Sequence, residues 1–161
     1  MKRLKEILET DDLEQAHVHI IDLLESHPDD ANVRFQIASA HDACGFEREA
    51  IRHYSDALKI GLENEVEQQA YIQLGSSYRC IGMYEKAEQL LEEGLKKHPE
   101  NAAMKAFMAM TKYNLHKNKA SLQLLFSVIL NQDNTDPWIL KYKQALLFYA
   151  DRIDDTWQTE E

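Results

Sequence analysis

Apolar residues recur at three- and four-residue intervals along nearly the whole chain, the period of helices that bury one face. The clearest stretch runs from Gln73 to Pro99. Leu74, Gly75 and Tyr78 fall at i, i+1 and i+4 on one helical face. Gly82 interrupts, Tyr84 follows in the turn, and Ala87, Leu91 and Gly94 mark one face of a second helix. Extended along the chain, the same pattern predicts helices over 2–9, 12–26, 31–43, 47–60, 66–80, 84–97, 102–115, 119–131 and 137–154. Small residues at Gly75, Ala87 and Gly94 suit the closest approach of two antiparallel helices, where a bulky side chain would cost about 1–3 kcal/mol in overpacking.

Boundary residues support this register. Asp30 and Asn101 follow matching His-Pro steps, at His27-Pro28 and His98-Pro99, and read as helix N-caps. His27 and His98 are expected in the last turns of the preceding helices, where a donor suits the helix dipole. Asp11 with Glu14 reads as a capping box, and Asp136-Pro137 as a cap followed by proline at the first helical position.

The unit repeats. Ala87 has counterparts at Ala50, Ala16 and Ser121, at intervals of 37, 34 and 34 residues; the longer interval is taken up after Gly61, in Leu62 to Glu67. Around Ala50 stand Ile37-Ala38, His41, Gly45, Tyr54 and Ala57. Around Ala16 stand Ile20 and Leu23. Around Ser121 stand Met108-Ala109, Leu125 and Val128, without the turn glycine. This spacing resembles the tetratricopeptide repeat. His41 stands where the motif has Tyr, and Leu62 where it has Pro. The resemblance implies an all-α, right-handed α-solenoid of about four hairpins, with repeats near 1–30, 31–64, 68–101 and 102–135. A capping helix at 137–154 would close a single domain over 1–154, followed by an acidic tail, 155–161. From Ala31 to Leu130 the chain also resembles a bacterial subgroup of such proteins, through Tyr54 to Leu62, Gln73 to Arg79 and Ala106 to Tyr113. That subgroup is described by its repeats alone and brings no reaction or ligand.

In this family the first helix of each hairpin lines a concave face, at its second, fifth, ninth and twelfth positions. Carried over, the resemblance implies a groove of Asn32, Phe35, Ser39 and Asp42, then Gln69, Ile72, Ser76 and Arg79, then Ala103, Ala106, Met110 and Tyr113. Such a surface suits an extended peptide or amphipathic helix. The other reading of Phe35, Ile72 and Met110 is packing between neighbouring helices. Some family members clamp a C-terminal carboxylate with several Lys and Asn; here Arg79 stands alone among Ile72, Ser76, Ala103 and Ala106, which argues against that mode.

Charge narrows the partners. A formal charge of −10 over 161 residues opposes nucleic acid, whose binding rests on cations at phosphates. No apolar run approaches the ~18 residues that span a membrane. Met1 to Leu8 carries cations without the apolar core of a secretory signal, so the expected location is the cytoplasm. Cys44 and Cys80 lie far apart and read as reduced thiols. Acid concentrates at Glu9 to Glu14, Glu63 to Glu67, Glu92-Glu93 and Asp151 to Glu161, a solvated outer face or a steering field for a basic partner.

Seven histidines raise a metal hypothesis, but His17 and His19 point to different sides of a helix, and His41 and His53 lack further ligands nearby. Phosphate loops and nucleophile elbows are missing, so neither cofactor nor catalysis is expected. The expected function is a non-catalytic module binding a protein or peptide. The alternative is self-association, as a homodimer, through the aromatic last helix with Trp138, Tyr142, Phe148, Tyr149 and the following Trp157.

Overall fold

The computed structural model describes Ile7, residues 13–131 and residues 134–155. Its helices are α1 (Leu13–Ser26), α2 (Ala31–Asp42), α3 (Glu47–Ile60), α4 (Asn64–Cys80), α5 (Tyr84–Lys97), α6 (Ala102–Asn114), α7 (Asn118–Ile129) and α8 (Pro137–Asp151), and no strand occurs among the described residues. Most ends match the pattern within two residues; α8 stops three residues early. Ile7 is helical and buried against the cluster of Ile37 and Ala40. The rest of the expected first helix, the Asp11 end of the capping box, the segment from 156 and Trp157 lie outside the described residues.

The caps act as their residue types dictate. The Asp30 carboxylate accepts from the backbone N–H of Asn32 (2.8 Å) and Val33 (3.1 Å), and the Asn101 side chain from that of Met104 (2.8 Å). Asp136 accepts from Trp138 and Ile139, with Pro137 at the first helical position. His27 lies 3.3 Å from the Leu23 carbonyl. His98 lies just past the end of α5, and its Nε2 meets the Glu67 carboxylate at 2.8 Å instead of the helix end.

Three hairpins, α2–α3, α4–α5 and α6–α7, stack in order. Each second helix packs on the first helix of the next hairpin, and consecutive first helices α2, α4 and α6 touch. Consecutive second helices do not approach one another. The first helices therefore form the inner layer and the second helices the outer one, the arrangement of a curved solenoid. Small residues set the spacing. A Cβ on Gly75 would stand 2.8 Å from Leu91 Cγ, and one on Gly94 2.7 Å from Met104 Sδ and 2.9 Å from Tyr71 Cγ. In the third hairpin Ser121 takes the alanine position, and its buried Oγ donates to the Ala109 carbonyl at 2.7 Å. Leu62, where the motif has Pro, is buried with Ala31, Ala57 and Ala70.

His41 also has a structural explanation. It is buried, its Nδ1 donates to the Ile37 carbonyl at 3.0 Å, and its ring stacks on His53 with centroids 5.6 Å apart. The pair occupies the positions of Tyr78 and Leu90 one repeat later. Two stacked imidazoles thus stand where the next repeat has an aromatic and an aliphatic side chain.

Candidate functional site

The inner layer carries the residues that the repeat pattern assigns to a groove. Asn32, Gln69 and Ala103 are exposed at one end of their helices, and Met110 and Tyr113 are exposed by 38% and 65%. Phe35, Ser39, Asp42, Ile72, Ser76, Arg79 and Ala106 are half-buried. Phe35 spends much of its surface on the interior: its ring lies 5.6 Å from that of Tyr54 and contacts two core clusters. Ile72 packs against the cluster of Tyr71, Leu91, Met104 and Met108. Met110 is the apolar member of the three that stands open.

Contacts between consecutive first helices fix which groove positions face each other. Ser39 Oγ donates to Gln73 Oε1 at 3.3 Å, joining position nine of α2 to position six of α4. Arg79 Nη1 donates to Asn114 Oδ1 at 3.5 Å, joining position twelve of α4 to position thirteen of α6. Arg79 Nε is buried and has no hydrogen-bond partner. Asp42, the repeat equivalent of Arg79, accepts from Ser77 Oγ at 3.3 Å. Charges of opposite sign therefore occupy one position, two hairpins running.

A polar network at the α2–α3–α4 junction is what the sequence pattern misses. The Tyr54 hydroxyl donates to Gln73 Oε1 and lies 3.2 Å from Ser39 Oγ and 3.5 Å from Asp42 Oδ2. Burial raises the Tyr54 hydroxyl pKa and pushes the Asp42 carboxyl above the usual carboxylate range, against the lowering effect of the Ser77 hydrogen bond. Ser39 and Asp42 are thereby committed to holding two hairpins together. One sequence signal exists: Tyr54 stands where the next hairpin has Leu91, so a hydroxyl enters a position otherwise apolar.

The outer layer holds two further hollows, equivalent by repeat. One, of about 310 Å³, lies between α3 and α5 over Leu58, Leu74 and Leu90; the other, of about 550 Å³, lies between α5 and α7 over Leu95, Met108 and Leu124. The first is lined in part by Tyr71 and Tyr78. In the second the equivalent of Tyr78 is Lys112, which turns to Glu88 at 2.8 Å. Burial would raise the Glu88 carboxyl, but Lys112 and Lys117 outweigh it and hold it below its ordinary value. Neither hollow brings together groups for catalysis, and among the described residues no three His, Cys, Asp or Glu are grouped to hold a metal ion. Nor is any helix among them long and apolar enough to cross a membrane.

No curated protein matches this chain in sequence. Residues 31–153 match the family model described as tetratrico peptide repeat. That span covers the three stacked hairpins and α8, whose turns, caps and small-residue contacts repeat in register, and the chain belongs to the tetratricopeptide repeat family.

Proposed function

We propose that this protein is a non-catalytic interaction module that holds a peptide or protein segment along the inner face formed by α2, α4 and α6. Tetratricopeptide repeats in general mediate protein–protein interactions. The observation that carries the reading here is the exposure of Met110 and Tyr113 beside Arg79, at groove positions where Ser39 and Asp42 are consumed by internal hydrogen bonds. Open apolar side chains next to a cation suit a partner that brings an apolar anchor and an acceptor. Cys44 and Cys80 are both unpaired thiols, which agrees with a reducing compartment, and the proposal includes a cytoplasmic location.

The test is affinity capture on immobilised wild-type protein beside a Ser76→Glu variant whose helicity is checked by circular dichroism. Ser76 lies at the centre of the face and is half-exposed, so the charge meets a ligand before it meets the core. A partner retained by the wild type and lost by the variant is the expected result. Equal retention by both would move the working surface elsewhere.

A further inference from the structure

Helix α8 stands in the register of the first helix of a hairpin. Its N-cap Asp136 matches Asn101, so Pro137 aligns with Ala102. In that register Ile139, Leu146 and Ala150 take positions three, ten and fourteen. These are the least exposed residues of α8 apart from Lys143, and among the described helices α8 touches α7 alone. The equivalent positions of α4 and α6 are likewise turned inward, at Ala70, Ser77, Met104 and Thr111. Hence α8 continues the inner layer, but unlike α4 and α6 it makes no contact with the first helix before it.

The repeat rule then says what faces the gap. Positions nine and twelve of one first helix look toward positions six and thirteen of the next, as Ser39 does to Gln73 and Arg79 to Asn114. For α6 and α8 these are Met110 and Tyr113 on one wall, Tyr142 and Tyr149 on the other. Trp138 lies one turn before Tyr142, 64% exposed and stacked on its ring, and Tyr142 is itself 51% exposed. Lys141 Nζ stands 5.0 Å from the Trp138 centroid and 5.6 Å from that of Tyr142.

Charge selects the occupant. On α4, α6 and α8 the groove positions two, five, six, nine, twelve and thirteen hold two charged residues, Arg79 and Lys141, both cationic, in a chain of net charge −10. The acids of the inner helices stand elsewhere: Asp42 on α2 at the far end, where it accepts from Ser77, Glu65 and Glu67 in the first turn of α4, and Asp151 at the end of α8. We propose that the α6–α8 cleft is the anchor site for a partner peptide that inserts a large apolar side chain between Met110, Tyr113 and Tyr142, with acidic residues beside it to meet Lys141 and Arg79. This rests on the inner-face reading above and names the partner chemistry at one end of it.

Fluorescence anisotropy with labelled synthetic decapeptides tests it: one Trp flanked by glutamates, the same with lysines for glutamates, and the same with Ala for Trp. The glutamate–Trp peptide is expected to bind, with at least about tenfold loss for either change. Tyr142→Ala and Tyr113→Ala, both at exposed positions, should weaken it at least about tenfold, and Asn32→Ala at the far end should leave it unchanged. If the peptide binds but responds to Asn32→Ala and not to the tyrosine variants, the cleft assignment falls and the inner-face reading survives. If none of the peptides binds while captured partners still depend on Ser76, the partner chemistry is wrong; if neither occurs, both readings fall. Sedimentation showing a dimer that Tyr142→Ala dissociates would give the cleft to a second copy and overturn the peptide.

Discussion

His116 and Gly82 hold the same turn position in successive hairpins, with φ of 57° and 78°. Each sits in the same hydrogen-bond frame. Gly82 N–H donates to the Arg79 carbonyl and Met83 N–H to that of Tyr78; His116 N–H donates to the Tyr113 carbonyl and Lys117 N–H to that of Lys112. The turn demands a left-handed residue whether or not glycine is present. A β-carbon there costs about 1–2 kcal/mol, and His is among the residues that tolerate it better.

His116→Gly should therefore stabilise the fold by about 1 kcal/mol, less the extra entropy glycine brings to the unfolded chain. A thermal melt should rise by about 2–4 °C. Gly82→Ala is the converse. Open space surrounds Gly82, so its loss of about 1–2 kcal/mol would report backbone conformation alone.

Gly94→Ala tests the close approach of helices. Alanine gains about 1 kcal/mol in helix propensity over glycine. Its β-carbon would press on Met104 Sδ, which can move, and on Tyr71 Cγ, which is buried and anchored by its hydroxyl to Glu93 at 2.7 Å. Overpacking of about 1–3 kcal/mol should outweigh the propensity gain, lowering the urea midpoint.

The His41–His53 stack makes stability depend on pH. Burial lowers the His53 pKa to about 4, helped by the His41, Arg34 and Arg52 charges, and burial lowers His41 as well. Both folded values lie below the unfolded value of about 6.5, so the unfolded chain takes up protons first. Stability is full above about pH 6.5 and is lost as pH falls toward 4. His53→Leu, which installs the residue found at positions 90 and 124, should remove most of that loss. Discounted for partial exposure, the gain at pH 4.5 should be about 2 kcal/mol relative to pH 7, read from denaturant titrations at both. Asp42 works in the opposite sense, its raised carboxyl favouring the fold as pH falls, so the comparison between variants isolates the histidines.

The helical periods, caps and 34-residue spacing were legible because they are local. Asp30, Asn101 and Asp136 cap helices through atoms two or three residues away, and Gly45 and Gly82 turn the chain by their own conformation. Repeat register also assigned a set of positions to the inner face, as an expectation from the helical period. His116 shows the limit of reading turns by residue type, since the left-handed conformation persists where the glycine signal is gone.

What each inner-face side chain does was decided only by tertiary structure. Ser39 and Asp42 read as groove residues by position, yet Tyr54, Gln73 and Ser77, 12 to 35 residues away in sequence, draw them into a buried network. Phe35 leans on Tyr54, whereas Met110 and Tyr113 stay open because α8 does not close against α6. The sequence alone determined the repeat, its phase and the residue types on each face, since these follow from the helical period. Exposure was left to the fold, because it depends on the distance between neighbouring helices, and that distance is set by side chains a full repeat apart.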